Sequence, residues 1–445
     1  MSSADTTELR SAARRRMMIR RRRSVVTLLL LVILAAVAYV AACALTTLPS
    51  PRATLSVEAE AAVAADAAAA QAVVDAQPLP TAIGWADGEE VWSNDDTAYP
   101  LASVSKLLTV LVCLEAQPLE PGADGPTYLW TAEDRARQEY YLGLDGVAYP
   151  IPVGTEITLR QMLQFIFLPS ANDYAAAYAY WTFGDNDAFL TAVDAFAAKH
   201  GLDSVNFVEP TGMDDDNRAS AGDLVRIARI ALQNPTVLEF TGMSSAEMPW
   251  GIGLIENTNP LLGDVPGVIG LKTGALNVVG YNLVLAQRVD ALGREVVNIS
   301  VTLARPSKED RAASGYEMLT AMAPLPQHFE LVAEGEEVGS VLTITGERIA
   351  LVTAASTGSV LLPGEAARRT VDLLTVEPGA AGSTAGTVRV ATPTGDVDIP
   401  VVTAAEISEP DLWWRLTHPA LVFGWAEPSP ADATAAAGTR SGASS

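Results

Sequence analysis

The sequence predicts an α+β body, an antiparallel sheet flanked by helices, set between a membrane-length apolar segment and a small all-β domain. Three observations carry that prediction. Val25–Leu45 runs 21 residues without a charge. From about 79 to 325, strand-like and helix-like patterns alternate. From about 330 to 405 the chain breaks into short β-rich segments separated by Gly, Pro and polar turns. A length of 445 residues suits two or three such domains.

Residues 1–24 form a basic segment with eight arginines: Arg10, Arg14, Arg15, Arg16 and Arg20 to Arg23. Val25–Leu45 is long enough to cross a hydrocarbon layer of ~30 Å. Arginines on its N-terminal side keep that end cytoplasmic, so a single-pass cell-membrane protein with its body outside the cytoplasm is expected. We read this stretch as an uncleaved signal anchor. Ala42-Cys43-Ala44 and the run VAAC leave cleavage, or lipidation of Cys43, as alternatives. Residues 46–78 are expected to be a linker, since Val57–Pro78 is Ala-rich and lacks large hydrophobes.

Within the body, Thr81–Asp95 reads as a hairpin with Asp87-Gly88 in the turn. Thr158–Leu168 has Leu159, Met162, Leu163, Ile166 and Phe167 at helical spacing. Ser220–Asn234 reads as an amphipathic helix capped by Ser220, with Asp223 three residues on. Gly280–Ala304 reads as two strands joined at Leu292-Gly293. Beyond the β-rich domain, residues 406–425 hold Trp413, Trp414 and Trp425 and suit either a membrane interface or docking onto the protein itself. Residues 426–445 offer little to bury and are expected to be disordered.

The net charge is −24 despite the basic N-terminus, so the body is strongly acidic and nucleic acid is not expected as a partner. Two cysteines (Cys43, Cys113) and three histidines (His200, His328, His418) imply neither a disulfide framework nor a metal site, and no cofactor is expected.

The chemistry lies in three short motifs. Ser103 and Lys106, in LASVSKLLTV, stand three apart on one face of a predicted helix whose following residues are almost all apolar. A serine hydroxyl needs a base, and a lysine serves if desolvation lowers its pKa. A helix N-terminus would also help to stabilise an oxyanion there. Ser170-Ala171-Asn172 follows an apolar helical run and offers a second hydroxyl and an amide. Lys272-Thr273-Gly274 lies in a strand pattern and offers a cation and a hydroxyl to a substrate carboxylate, with Gly274 allowing close approach. Taken singly, these motifs also suit a surface serine, a helix cap and an edge-strand lysine.

Together, 67 and 102 residues apart, S-x-x-K, S-x-N and K-T-G resemble the signature of penicillin-binding proteins and serine β-lactamases. ASVSKLLT, LPSANDYAAAYA, FVEPTGMDDDN and GLKTG are similar to blocks of the low-molecular-mass D-alanyl-D-alanine carboxypeptidases over residues 80 to 325. The resemblance implies a β-lactamase/transpeptidase-like fold, with residues 330–405 as the family's second domain. It implies that Ser103 attacks the penultimate D-Ala carbonyl of a peptidoglycan stem peptide and that Lys106 takes its proton. Ser170 would relay a proton to the leaving D-Ala, and Asn172 would position the peptide. Lys272 and Thr273 would hold the terminal carboxylate, with Arg305 as a second contact. The backbone N–H groups of Ser103 and Ala275 would form the oxyanion hole. Acylation by β-lactams is implied too. Alternatives on the same fold are a catalytically weak cell-wall scaffold, a β-lactamase and a D,D-endopeptidase.

Departures from the family pattern bear on rate and substrate preference. Ile269 stands where the family often has Asp, and Leu276 where it often has Thr. Pro169 and Tyr174 also differ from the commonest pattern. An E-x-x-L-N stretch, expected of an efficient class A β-lactamase, is not found between the second and third motifs.

Overall fold

The computed structural model describes residues 3–276 and 279–430. Helix α1 (Ser3–Leu45) is continuous, and the large apolar side chains from Val25 to Val37 are all exposed. A helix apolar all round cannot be satisfied by water, and this one is long and apolar enough to cross a membrane. The chain forms two compact units. One comprises Ala64–Phe329 with Ser359–Ala366. The other gathers the residues up to Val63, Glu330–Gly358 and those from Ala367 onward.

Residues 46–78, expected as a linker, are largely folded. They carry β1 (Arg52–Leu55), β2 (Glu60–Ala64) and α2 (Ala67–Asp75). The strands are mostly exposed and join a sheet through backbone hydrogen bonds, which side-chain periodicity does not reveal. Helix α2 is capped by Asp66, which accepts from Ala68 N at 2.8 Å. Its Ala70 and Val74 are buried against Ile83, Trp85, Met318 and Met322. Small side chains let this helix sit close, so a stretch with little to bury still packs.

The larger unit is built on β3 (Thr81–Trp85), β4 (Val91–Ser93), β5 (Val268–Leu276), β6 (Gly280–Ala291) and β7 (Arg294–Arg305), in the order β5-β6-β7-β3-β4. Leu292 and Gly293, at φ 57° and 92°, form the tight turn between β6 and β7. Side chains alternate faces along each strand. Ala82, Val284, Ala286, Ile299 and Val301 face the main core. Ile83, Trp85 and Val296 pack with Met318 and Met322 on the other side. Both faces are therefore covered.

The main core holds α3 (Ser105–Ala116), α5 (Leu159–Phe167), α6 (Asn172–Phe183), α7 (Asn186–His200), α8 (Ala221–Leu232) and α9 (Pro235–Thr241). Helix α4 (Ala132–Gly143) lies against α6, and α10 (Lys308–Met322) covers β6 and β7. The predicted helix starts are met by Thr158, in a capping box with Gln161, and by Ser220, which accepts from Asp223 N.

In the other unit, β8 (Glu337–Leu342), β9 (Arg348–Thr353), β10 (Ala366–Leu373), β11 (Thr384–Thr392) and β12 (Gly395–Thr403) combine with β1 and β2. The order is β1-β8-β9-β12-β11-β10-β2. Two short helices follow, α11 (Leu412–Thr417) and α12 (Pro419–Val422). The tail expected to be disordered lies, from residue 431, outside the described residues.

Candidate active site

Ser103 sits in a single 3-10 turn, Ala102–Val104, that leads directly into α3. The turn is held from both sides. Asn282 on β6 is fully buried and donates from Nδ2 to the carbonyls of Pro100 and Leu101, each at 3.0 Å, while its Oδ1 accepts from Ala304 N at 2.8 Å. Gly274 on β5 packs so closely that an added Cβ would stand 2.7 Å from Leu101 O and 3.1 Å from Ser103 N. From the other side comes Gly212, at φ 80°, where a Cβ would lie 1.9 Å from Ala102 O.

Lys106 lies in the first turn of α3 and is wholly buried. Its ammonium donates to Ser103 Oγ at 2.7 Å, Asn172 Oδ1 at 2.6 Å and the Thr211 carbonyl at 2.8 Å. Burial lowers its pKa to about 7, against the opposing pull of Glu209 and Asp173. Lysine is thus placed to accept the serine proton near neutrality. Thr211 is presented by the 209–217 loop, which Glu209 ties together. The Glu209 carboxylate accepts from Thr211 N and Oγ1, both at 2.7 Å, and also from Gly212 N. Asp173, beside Asn172, accepts from Gln138 Nε2 at 2.8 Å and Tyr149 N at 3.0 Å, and burial raises its pKa to about 7.

The second hydroxyl reaches a second lysine. Lys272 Nζ donates to Ser170 Oγ at 2.8 Å and to Thr273 O at 3.2 Å. Ser170 takes the left-handed conformation at φ 69°, an unfavourable region for a residue with a Cβ. It precedes α6 and holds its hydroxyl toward β5. Burial, then Lys106 and Arg311, push the Lys272 pKa well below that of an ordinary lysine. β5 is an edge strand, so the backbone of Ala275, which is exposed, is open to a ligand on one side.

Ser103, Lys106, Ser170, Asn172, Lys272, Thr273 and Gly274 therefore meet around one serine, with Ala275 at the open edge. Arg305 does not join them. It is 3% exposed, and its guanidinium donates to Pro80 O at 3.1 Å, Leu303 O at 2.7 Å and Thr81 Oγ1 at 2.7 Å. It ties the end of β7 to the start of β3. A bulge stands just before it: Ala304 is at φ 58° and the β6–β7 register shifts between Tyr281 and Leu283, so this end of β7 does not follow simple alternation.

The nearer guanidinium is Arg311 on α10. Its Nη2 lies 3.5 Å from Thr258 O, and the Thr258 hydroxyl is 2.6 Å from that of Thr273. Arg311 Nε is buried and has no hydrogen-bond partner among the described residues, so this cation has donor capacity toward a ligand. Sequence reading missed Arg311, Thr258, Glu209 and Thr211. Arg311 lies six residues beyond Arg305 in the same stretch, LARPSKEDR, and helical placement rather than motif brings it in. Glu209 lay inside the recognised FVEPTGMDDDN block but was not assigned a role.

Known proteins resemble this chain over the region that holds these residues. Residues 91–305 match the profile of the peptidase S11 family, D-alanyl-D-alanine carboxypeptidase. A D-alanyl-D-alanine endopeptidase of Pseudomonas aeruginosa is 31% identical over 218 residues, covering 47% of this chain and 64% of that protein. The carboxypeptidase DacF of Bacillus subtilis is 28% identical, over 43% of this chain and 48% of its own length. The carboxypeptidase DacB2 of Mycobacterium tuberculosis is 32% identical, over 41% of this chain and 60% of its own length. The chain thus spans less than two thirds of these relatives. Penicillin-binding protein 5 of Haemophilus influenzae shares the fold at a TM-score of 0.52 and 20% identity, covering 74% of this chain and 97% of that one. Over residues 91–305, just under half of its length, this chain is similar to the D-alanyl-D-alanine carboxypeptidase family, peptidase S11.

Proposed function

We propose that the chain is a membrane-tethered serine D,D-carboxypeptidase, which removes the terminal D-Ala from peptidoglycan stem peptides and is acylated by β-lactams. The observation that carries the reading is the 2.7 Å contact between Ser103 Oγ and a wholly buried Lys106 amine. In its neutral form that amine accepts the serine proton as Oγ attacks the penultimate D-Ala carbonyl. The N–H groups of Ser103 and Ala275 stabilise the oxyanion. Ser170, hydrogen-bonded to Lys272, relays to the departing D-Ala amine the proton that Lys106 took from Ser103. A water then attacks the acyl group, giving one proton to the neutral Lys106 amine, which returns it to Ser103 Oγ as the acid is released. Asn172 orients the peptide. Lys272, Thr273 and Arg311 hold the terminal carboxylate, with Arg311 in the place first given to Arg305. Helix α1 anchors the chain in the cell membrane, and the arginines before it keep that end cytoplasmic.

The test uses the full chain in detergent, with a fluorescent penicillin and, separately, a muropeptide ending in D-Ala-D-Ala. The reading expects a stable adduct, absent in Ser103→Ala, and one D-Ala released per peptide. An adduct without D-Ala release overturns the hydrolytic reading in favour of a scaffold. Rapid turnover of the penicillin would mark a β-lactamase. A second reading, D,D-endopeptidase, draws on the 31% identical relative that bears that name. Cleavage of cross-linked dimers faster than of monomeric peptides would establish it.

A further inference from the structure

Ser105, Lys106 and Thr109 share one face of α3, three and four residues apart. Each meets a different residue of the 209–217 loop. Thr109 is 0% exposed and donates from Oγ1 to Pro210 O at 2.7 Å. Lys106 donates to Thr211 O at 2.8 Å. Gly212 lies over Ser105, where an added Cβ would stand 2.7 Å from Ser105 Oγ. The loop thus runs back along the helix toward Ser103, and Thr211 O lies between two fixed neighbours. Pro210 stiffens the approach, because its ring fixes φ. Among the described residues the Thr109 hydroxyl meets Pro210 O and, at 3.3 Å, Ser105 O one turn back in its own helix. It touches none of the reacting groups.

What Thr211 O does follows from the hydrogens on Lys106. A neutral amine carries two N–H hydrogens and one lone pair in a tetrahedral array. Its three partners are Ser103 Oγ at 2.7 Å, Asn172 Oδ1 at 2.6 Å and Thr211 O at 2.8 Å. Asn172 Oδ1 and Thr211 O can only accept, so they take the two N–H hydrogens. The lone pair is left facing the Ser103 hydroxyl, the one partner that can donate. With Thr211 O displaced, a hydrogen is free to turn toward Ser103 Oγ, and the lone pair turns away from it.

We propose that Thr109 is a positioning residue for acylation: by holding Pro210 O it keeps Thr211 O in place, and Thr211 O aims the Lys106 lone pair at the Ser103 hydroxyl. The proposal rests on the reading of Lys106 as the base. The proton passes from Oγ to Nζ as Oγ attacks the carbonyl, so this orientation acts on the chemical step. Loss of the Thr109 hydroxyl therefore lowers the acylation rate constant and leaves substrate capture as it was. Thr211 O also accepts from the ammonium, so displacing it disfavours the charged form of Lys106. The charged groups that face Lys106 are Glu209, Asp173 and Lys272, and the substitution removes none of them.

The full chain in detergent is mixed with a fluorescent penicillin by stopped flow, across the pH range in which Lys106 titrates. Thr109→Val keeps the shape of the side chain and removes its hydroxyl. The limiting acylation rate should fall about 10-fold or more. The half-saturating penicillin concentration should stay within about 2-fold of wild type. The midpoint of the pH limb should move to lower pH, and Thr109→Ser should restore both rate and midpoint. Thr236→Val is the matched control. It removes a buried hydroxyl that donates to Leu119 O beyond the other end of α3. That variant should lose thermal stability without a change in rate or midpoint. A normal rate in Thr109→Val overturns the proposal. So does a slower rate with an unmoved midpoint, or a loss that Thr236→Val shares, since either marks a role in folding alone. Wild-type acylation by Lys106→Ala would instead place the failure in the reading of Lys106 as the base.

Discussion

Two residues of one type do different work here, and their surroundings say which. Lys106 shares its ammonium among a hydroxyl, an amide and a carbonyl, with Glu209 and Asp173 close enough to oppose the effect of burial. Lys272 has a second cation pair, Lys106 and Arg311, acting in the same direction as burial. Because only the neutral Lys106 amine accepts a proton, acylation by penicillin should rise with pH, half-maximal near pH 7, and level off above. Asp173 titrates in the same range and becomes anionic as pH rises, which favours the ammonium, so the limb should be broad. Glu209→Gln removes a negative charge that stabilises the ammonium. The limb should then move to lower pH in stopped-flow acylation, whereas a role limited to loop folding would leave its position unchanged. Lys106→Ala should slow acylation roughly 100- to 10,000-fold, the usual worth of a positioned base.

The two arginines separate by the same logic. Arg311→Gln should raise KM for a D-Ala-ended peptide about 10-fold or more, with little change in thermal stability, since one charge-assisted contact contributes about 1.5–3 kcal/mol. Arg305→Gln should do the reverse. It breaks buried hydrogen bonds between β7 and the start of β3, at a cost of about 2–4 kcal/mol in unfolding free energy, and leaves KM nearly unchanged. If steady-state kinetics showed the opposite assignment, Arg305 would return to the site and Arg311 would leave it.

At the scale of elements, the site is the meeting of a helix start with a sheet edge. Ser103 lies in the 3-10 turn before α3, and β5 passes close enough to need a glycine. Gly274→Ala puts a methyl 2.7 Å from Leu101 O, so turn and strand must part. The expected outcome is acylation slowed about 100-fold or more, since small displacements of reacting groups are that costly. Far-ultraviolet circular dichroism should be unchanged. A variant that acylates at the normal rate would show that the strand gives way instead. The same reasoning explains Ser170: its left-handed backbone is held by the ordered ends of α5 and α6, with Ala171 N bonded to Phe165 O at 2.9 Å.

At the scale of the molecule, the segment before the body is part of its structure. Helix α2 covers Ile83, Trp85, Met318 and Met322 on the sheet face away from the main core. Val74→Asp would bury a carboxylate there and should lower unfolding free energy by about 3 kcal/mol or more, with a matching drop in Tm by calorimetry. A true linker would tolerate the change.

What the sequence by itself determined is the chemistry and its order. The three motifs, the helical run from Thr158, the helix cap at Ser220, the turn at Leu292-Gly293 and the membrane-length apolar run are local signals, each set by residues close to one another along the chain. Only the tertiary structure decided what depends on approach across the fold. It moved Arg305 into a strand junction, brought Arg311 beside Thr258 and Thr273 from a helix, and tied Lys106 to a loop through Glu209. It also folded residues 52–75 onto both units and set α11 on the end of α1. The physical reason is common to these cases. Strand pairing along an edge uses backbone groups that every residue carries, and a small side chain packs because of what surrounds it. Neither leaves a periodic mark in the chain that does it.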